Sequence, residues 1–176
     1  MKYVIMLLTL SGFLAVGQLK LNTEKSTLMI TGTSSLHDWE MVVNTFDATG
    51  NISASSVENL KVTVVAKSMK SGKAIMDNKA YDAVKAEEYE HIMFKAPSLK
   101  IVNGKIQGLG TVSLAGKSKS VDFSAQILSN SAGEMHLKGQ LPLKMSDFDI
   151  EPPTAMFGTL KTGDEVVINY EIFISK

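Results

Sequence analysis

Cysteine and arginine are both missing from this chain of 176 residues. The lack of cysteine excludes disulfides, thiol catalysis, iron–sulfur clusters, zinc–thiolate sites and a lipoprotein anchor. All 18 basic residues are lysines, and 18 aspartates and glutamates balance them. A neutral chain without arginine is a poor candidate for binding nucleic acid, because phosphate contacts supply most of that affinity. The same balance argues against anionic lipid as a partner.

The remaining composition is that of a globular domain. Apolar residues make up 44% of the chain and charged residues 20%, which fits neither a disordered nor a polytopic membrane protein. A chain of this length buries enough surface to fold without a metal or disulfide.

The N-terminal residues have the pattern of a signal peptide. Lys2 precedes an almost uncharged apolar stretch over 4–16, and Ala15 and Gly17 put small residues where a signal peptidase requires them. A membrane anchor would need about 20 apolar residues. We therefore expect a signal peptide over 1–17, one domain over 18–176, and export to the periplasm or the extracellular space without stable membrane insertion.

Most of the remaining chain alternates apolar and polar residues with a period of two, the pattern of half-buried β-strands. The clearest segments are 106–114, 121–127 and 166–174, and shorter runs cover 27–33, 40–45, 60–66, 92–100 and 135–143. Turn residues such as Asn103-Gly104 separate them. Strands at about ten-residue spacing predict an antiparallel sandwich or barrel.

One segment departs from this pattern. Residues 71–84 lack alternation, and Met76, Ala80 and Val84 recur at helical spacing. They predict one short helix inserted into the β architecture.

Several residue combinations could carry chemistry, but none has the expected spacing. Ser35, His37 and Asp38 supply the residue types of a hydrolase triad, yet they lie within four positions on one turn, whereas triad members converge from different elements. His37, His91 and His136 are not spaced as metal ligands on one strand or helix. We expect neither a catalytic site nor a metal site here.

Three other motifs are equally weak. Residues 147–149 lack the glycine and terminal glutamate of a calcium loop and predict a solvated turn. Residues 117–119 form a basic hairpin tip that is too small for a nucleic-acid patch. Residues 51–53 match a glycosylation sequon, which would mean little if the protein is exported to a bacterial periplasm.

The interior of the predicted sheet shows an unusual choice of residues. Gly108 and Gly110 fall on the apolar face of the segment 106–114 and would leave open space inside a barrel. Methionines such as Met41 and Met76 suit an adaptable apolar pocket, although they could equally fill gaps in an ordinary core. An eight-stranded barrel is about the size that holds one small or elongated ligand.

Seven stretches, in order along the chain, resemble the YceI-like family of lipid- or polyisoprenoid-binding, lipocalin-like proteins. They are 31–39 (TGTSSLHDW), 50–52 (GNI), 76–81 (MDNKAY), 88–94 (EYEHIMF), 110–121 (GTVSLAGKSKSV), 146–150 (SDFDI) and 163–168 (GDEVVI). Two positions depart from the family pattern, since Glu90 replaces a proline and Asp149 replaces a glycine, both in turns.

The resemblance implies a mainly β fold: an antiparallel, eight-stranded, lipocalin-like barrel with one short helix near its mouth. It also implies an apolar tunnel for a polyisoprenoid, such as a quinone-type chain, or a related lipid, and no cofactor or catalytic residue. Combined with strand parity, it gives a set of expected barrel-lining residues: Met41, Met76, Phe94, Gly108, Gly110, Val112, Leu114, Phe123, Leu137, Ile168 and Tyr170. The Tyr170 hydroxyl is expected to meet the ligand head group.

Two other hypotheses stay open at this point. A lipid-acting enzyme would need His37, Asp38 or His91 to face one pocket. A packed barrel that acts as an envelope stress or partner-binding protein would have a filled interior. The sequence does not specify the oligomeric state.

Overall fold

The computed structural model describes residues 17–131, 133–155 and 157–175. The predicted signal peptide, apart from Gly17, lies outside these residues. None of the described helices is long and apolar enough to cross a membrane.

Antiparallel β-strands account for most of the described chain. The strands are β1 (Gly17–Gln18), β2 (Lys20–Leu21), β3 (Thr27–Ser34), β4 (Trp39–Val43), β5 (Phe46–Ile52), β6 (Ser56–Val65), β7 (Met69–Lys70), β8 (His91–Val102), β9 (Lys105–Leu114), β10 (Lys117–Ser131), β11 (Glu134–Lys144), β12 (Thr154–Ala155) and β13 (Leu160–Ser175). Helix α1 spans Ala74–Ala83, and short 3-10 helices span Ala66–Ser68 and Met145–Phe148.

Hydrogen bonds join the strands into one curled sheet in the order β1-β5-β6-β8-β9-β10-β11-β13-β3-β4-β7. The N-terminal segment brings the two sides of this sheet together. Gln18 pairs with β5, the Leu19 N–H donates to the Gly50 carbonyl oxygen at 2.9 Å, and Leu21 pairs with Ile174 of β13. The sheet therefore curls into a barrel around an apolar interior, which confirms the predicted fold class.

Two tight turns set the register of the central hairpins. Asn103 and Gly104 join β8 to β9, and Ala115 and Gly116 join β9 to β10; all four residues have positive φ. Two consecutive residues with positive φ match the right-handed twist of the flanking strands. These hairpins agree with the alternation seen over 106–114 and 121–127.

The predicted number of eight strands is too low, for two reasons. Four of the thirteen described strands have only two residues, too short for a periodic pattern. In addition, the strand pairing is interrupted between β4 and β5. There the Asn44 and Thr45 N–H groups donate to Ser68, at 3.1 Å each, instead of to a neighbouring strand. If β4 and β5 count as one bent strand, eight long segments remain. Strand β5 itself was not predicted.

Helix α1 is shorter than the predicted span of 71–84. Gly72 has a φ of 78°, which belongs to the left-handed region and prevents a helical start there. The Ser71 hydroxyl donates to the Asp77 carboxylate at 2.7 Å, and the Ser71 N–H donates to the same carboxylate oxygen at 2.7 Å. This local bonding fixes Ser71 outside the helix, so that α1 begins at Ala74.

Candidate ligand-binding cavity

The interior of the barrel encloses a cavity of about 920 Å³. Every long strand contributes inward-facing apolar side chains to it. On β9 the lining extends from Ile106 to Leu114, eight residues apart, which corresponds to about 27 Å along the strand. The cavity reaches the protein surface where it is lined by Leu36 and Ile75, whose side chains are exposed. We call this end the mouth.

Nine of the eleven residues expected to line the barrel do line this cavity: Met41, Met76, Phe94, Val112, Leu114, Phe123, Leu137, Ile168 and Tyr170. Gly108 and Gly110 do not.

The expectation that Gly108 and Gly110 leave open space is wrong, because side chains of β8 occupy it. The Phe94 ring lies directly over Gly110, where a Cβ atom would collide with it, and a Cβ atom on Gly108 would meet the Leu99 side chain at 3.0 Å. Strand glycines often allow a neighbouring aromatic ring to lie flat across them. Gly110 therefore gives room to Phe94, and Phe94 is the residue that faces the cavity.

Aromatic rings form a continuous row across one side of the wall. The ring centroids of Phe94 and Phe123 lie 5.1 Å apart, and those of Phe123 and Tyr170 lie 5.6 Å apart. Tyr170 lies over Gly139 of the adjacent strand, as Phe94 lies over Gly110. Because the rings lie along the wall, they add apolar surface without filling the cavity.

The Tyr170 hydroxyl is not available as a donor for a head group. It donates to the Ser124 carbonyl oxygen at 2.7 Å, across β11. Burial raises the pKa of this phenol above its ordinary value. Tyr170 is therefore a neutral part of the wall at physiological pH, and the expectation that its hydroxyl donates to a ligand is wrong.

Sequence reasoning missed the lining residues of β6. Val57 lines the cavity from an odd position, whereas Leu60, Val62 and Val64 line it from even positions. The change of parity occurs at Asn59, which has a φ of 53°, beside a shift in register between β5 and β6. A β-bulge of this kind inserts one residue and reverses the inward face. A simple count of alternation cannot locate it.

Three segments surround the mouth and are tied to each other. The Lys79 ammonium group on α1 donates to the Thr154 carbonyl oxygen of β12 at 2.7 Å. The Ser35 N–H donates to the Lys161 carbonyl oxygen at 2.9 Å, and the Lys161 N–H donates to the Ser35 hydroxyl at 3.1 Å. Helix α1, the loop 35–38 and the β12–β13 hairpin therefore form the rim of one opening, which agrees with the prediction of a helix near the mouth.

Most polar side chains of the described lining lie at the mouth. They are Ser34, His37, Lys73, Lys79, Thr154, Lys161 and Thr162. The Tyr170 hydroxyl and the Trp39 indole N–H also belong to lining residues, but both donate to backbone carbonyl oxygens. The wall thus presents mostly hydrocarbon, and the charged side chains are confined to the opening.

The residues considered for catalysis do not meet in the cavity. His37 lies in its lining, whereas Ser35, Asp38 and His91 do not. His136 bonds to Glu171 at 2.8 Å, on β11 and β13. The described residues contain no group of three or more His, Cys, Asp or Glu side chains that could hold a metal ion.

The segment 147–149 is only partly the solvated turn that was expected. Asp147 and Asp149 are exposed, but Phe148 is 1% exposed and packs in the core. Asp149 has a φ of 55°, the conformation that glycine adopts easily at the corresponding family position, and its carboxylate pairs with Lys117 at 2.6 Å. This ion pair lowers the pKa of Asp149.

A comparison with protein-family models matches residues 19–174 to the YceI-like domain. A search of the curated proteins returns no match.

Among solved structures, BcnA of Burkholderia cenocepacia is similar, with a TM-score of 0.70, 17% identity, and coverage of 87% of this chain and 98% of that one. A polyisoprenoid binding domain from Saccharophagus degradans, implicated in plant cell wall breakdown, gives a TM-score of 0.64 at 14% identity, covering 89% and 97% of the two chains. A YCEI protein of Campylobacter jejuni gives 0.66 at 24% identity, covering 76% and 82%. At these identities the likeness concerns the fold.

Proposed function

Because the chain belongs to the YceI-like domain family, we propose that it binds an apolar chain inside its barrel and carries or sequesters it. The proposed ligand is a polyisoprenoid, such as a quinone-type chain, or a related lipid. The observation that carries the proposal is the cavity of about 920 Å³, which runs along the barrel between apolar walls. The polyisoprenoid binding domain of similar fold supports the choice of ligand class.

The physical basis of binding is the removal of hydrocarbon from water. Each buried CH₂ group contributes about 0.8 kcal/mol, so a long chain can bind tightly without a charged contact in the wall. A volume near 900 Å³ lies at the upper end of the range for pockets that enclose small molecules. The row formed by Phe94, Phe123 and Tyr170 adds a broad, polarizable surface to one side.

The cavity also favours a carrier over the other two hypotheses. A packed barrel would have a filled interior, which an open cavity of this volume contradicts. A lipid-acting enzyme would need several reactive groups aimed at the ligand. Of His37, Asp38 and His91, only His37 lies in the lining, where its Nδ1 atom is 2.6 Å from the Asp38 carbonyl oxygen. Our proposal therefore assigns no catalytic residue.

The proposal extends to location. The pattern over 1–17 supports removal of a signal peptide near Gly17 and a mature carrier outside the cytoplasm. N-terminal sequencing of the protein recovered from the producing cell tests this. We expect a start near Gln18, and retention of Met1 in a membrane fraction would contradict it.

The binding function is tested by extracting lipid from the purified protein and identifying it by mass spectrometry. We expect a stoichiometric apolar molecule with a long hydrocarbon or prenyl chain. A protein that carries no such molecule and takes none up from added polyprenol would contradict the proposal.

A further inference from the structure

Apolar and polar residues line different parts of the cavity, and the charged residues among them are all lysines. The charged residues in the described lining are Lys73, Lys79 and Lys161, and no described aspartate or glutamate lines the cavity. All three lysines lie at the mouth. A molecule that fills the cavity therefore has its apolar chain in the wall region and its end beside lysine ammonium groups.

Asp77 and Asp38, two carboxylates on the segments that form the mouth, do not line the cavity. Asp77 is buried and accepts hydrogen bonds from the Ser71 N–H and hydroxyl, each at 2.7 Å. These bonds, the backbone one foremost, lower the pKa of Asp77 and keep its carboxylate ionised. Asp38 lies instead in a shallow groove on the outer surface, together with Glu40 and Glu165. The charged side chains of the described lining are thus all cationic, unlike the neutral balance of the whole chain.

Two of the three lysines have an ammonium group that could bind a ligand without losing an existing hydrogen bond within the described residues. Lys79 already donates to the Thr154 carbonyl oxygen. Within the described residues, the ammonium groups of Lys73 and Lys161 have no hydrogen-bond or ion-pair partner. Lys161 pairs with Thr154 in the β12–β13 hairpin, and Lys73 directly precedes α1.

We propose that the ligand is an anionic amphiphile, with a carboxylate or phosphate ester at the end of its chain, and that Lys73 and Lys161 bind this head group. The inference rests on the proposed function and specifies its ligand class. An anion at the mouth keeps part of its hydration while the chain is buried, so its desolvation cost stays small. It also neutralises two ammonium groups that border an apolar cavity. This replaces the expectation, drawn from net charge, that anionic lipid is not a partner.

The experiment compares ligands that share a chain and differ in the head group. Lipid-free protein is titrated calorimetrically at low salt with geranylgeranyl phosphate, geranylgeraniol, hexadecanoate and hexadecanol, each below its aggregation concentration. The variants are Lys73→Gln, Lys161→Gln and the double variant. Lys105→Gln is the matched control, because Lys105 is an exposed lysine that begins β9, at the hairpin with β8.

We expect at least one anion to bind more tightly than its alcohol. Each single variant should weaken the binding of that anion about three- to fivefold, and the double variant about tenfold, as for exposed ion pairs. The alcohols should bind all variants equally, and Lys105→Gln should match the wild type. A preference for the phosphate alone would identify a prenyl-phosphate-type ligand, and a preference for the carboxylate alone a fatty acid.

Other outcomes would overturn the inference. If the wild type bound each anion and its alcohol with equal affinity, the proposed anionic head group would be contradicted, and the proposed binding of an apolar chain would not. A preference that survives in the double variant would show that Lys73 and Lys161 do not provide it. Failure of all four ligands to bind would contradict the proposed function itself.

Discussion

The wall and the mouth of the cavity differ in how they are built. Wall residues come from regular strands, where alternate side chains face inward and neighbouring strands fix each of them. The mouth comes from α1, the loop 35–38 and the β12–β13 hairpin, where Leu36 and Ile75 stay exposed beside lysines. Under the proposed function, the wall would supply affinity for hydrocarbon and the mouth would select the head group.

The largest effect should follow a charge placed in the wall. Phe123 lies between the Phe94 and Tyr170 rings, so Phe123→Glu puts an unpaired carboxylate beside apolar groups. We expect a loss of about 3 kcal/mol or more in the free energy of unfolding, together with loss of binding to an apolar ligand. Urea denaturation and ligand titration measure the two effects.

Ser124→Glu is the matched control, because Ser124 is the next residue on β10 and its side chain is exposed. It should change the unfolding free energy by no more than about 0.5 kcal/mol. If Phe123→Glu were as stable as this control, the inward face assigned to β10 would be wrong.

A smaller effect is expected where a ring lies over a glycine. The methyl group of Gly110→Ala would collide with the Phe94 ring and lie 3.1 Å from the Lys95 carbonyl oxygen. Displacement of the ring should cost about 1–3 kcal/mol of unfolding free energy. In a Phe94→Leu background this penalty should shrink, which a double-mutant cycle measures. Equal penalties in both backgrounds would mean that the ring does not occupy this space.

The pH dependence of the unfolding free energy tests whether the Tyr170 phenol is buried in the wall. Burial raises the pKa of its phenol in the folded protein, so the unfolded chain releases this proton at lower pH than the folded chain does. Above about pH 10, the unfolding free energy of the wild type should therefore fall, relative to Tyr170→Phe, by about 1.4 kcal/mol per pH unit.

The same substitution has an effect at neutral pH, where Tyr170→Phe removes the bond to the Ser124 carbonyl oxygen and should cost about 1 kcal/mol. Denaturation curves from neutral to alkaline pH measure both quantities. Parallel pH profiles of the two proteins would show that the phenol is not held in the wall.

The smallest effect is expected at the mouth. Ile75 is 77% exposed on α1, so Ile75→Ser should change the unfolding free energy by no more than about 0.5 kcal/mol. Met76→Ser, at the neighbouring half-buried position that packs against the core, should cost more. Both are measured by urea denaturation. A larger loss for Ile75→Ser than for Met76→Ser would contradict the assignment of Ile75 to the exposed face of α1 and of Met76 to the face that packs on the core.

Strand alternation predicted part of the wall, on β9, β10 and β13 above all, and little of the mouth. Val112, Phe123 and Ile168 follow from period-two patterns, because a strand with one buried face repeats every second residue. The filled space beside Gly110 could not be predicted in this way, because the Phe94 ring that covers Gly110 belongs to another strand. The bulge at Asn59 reverses the inward face of β6 without a signal in the pattern.

The mouth depends on contacts between distant segments. Lys79 meets Thr154, and Ser35 meets Lys161, at separations of 75 and 126 residues. No local pattern brings these residues together. Net charge gives no information about the mouth either, because a total of zero does not show where the lysines lie.

The most direct test of a ligand inside the barrel is photo-crosslinking with a diazirine-labelled polyprenol, followed by peptide mapping with mass spectrometry. If the chain occupies the cavity, labelling should fall on wall residues such as Val112, Phe123 and Ile168, and unlabelled polyprenol should suppress it. Labelling confined to the exposed Phe157, which does not line the cavity, or to outward-facing positions of the strands would contradict binding within the barrel.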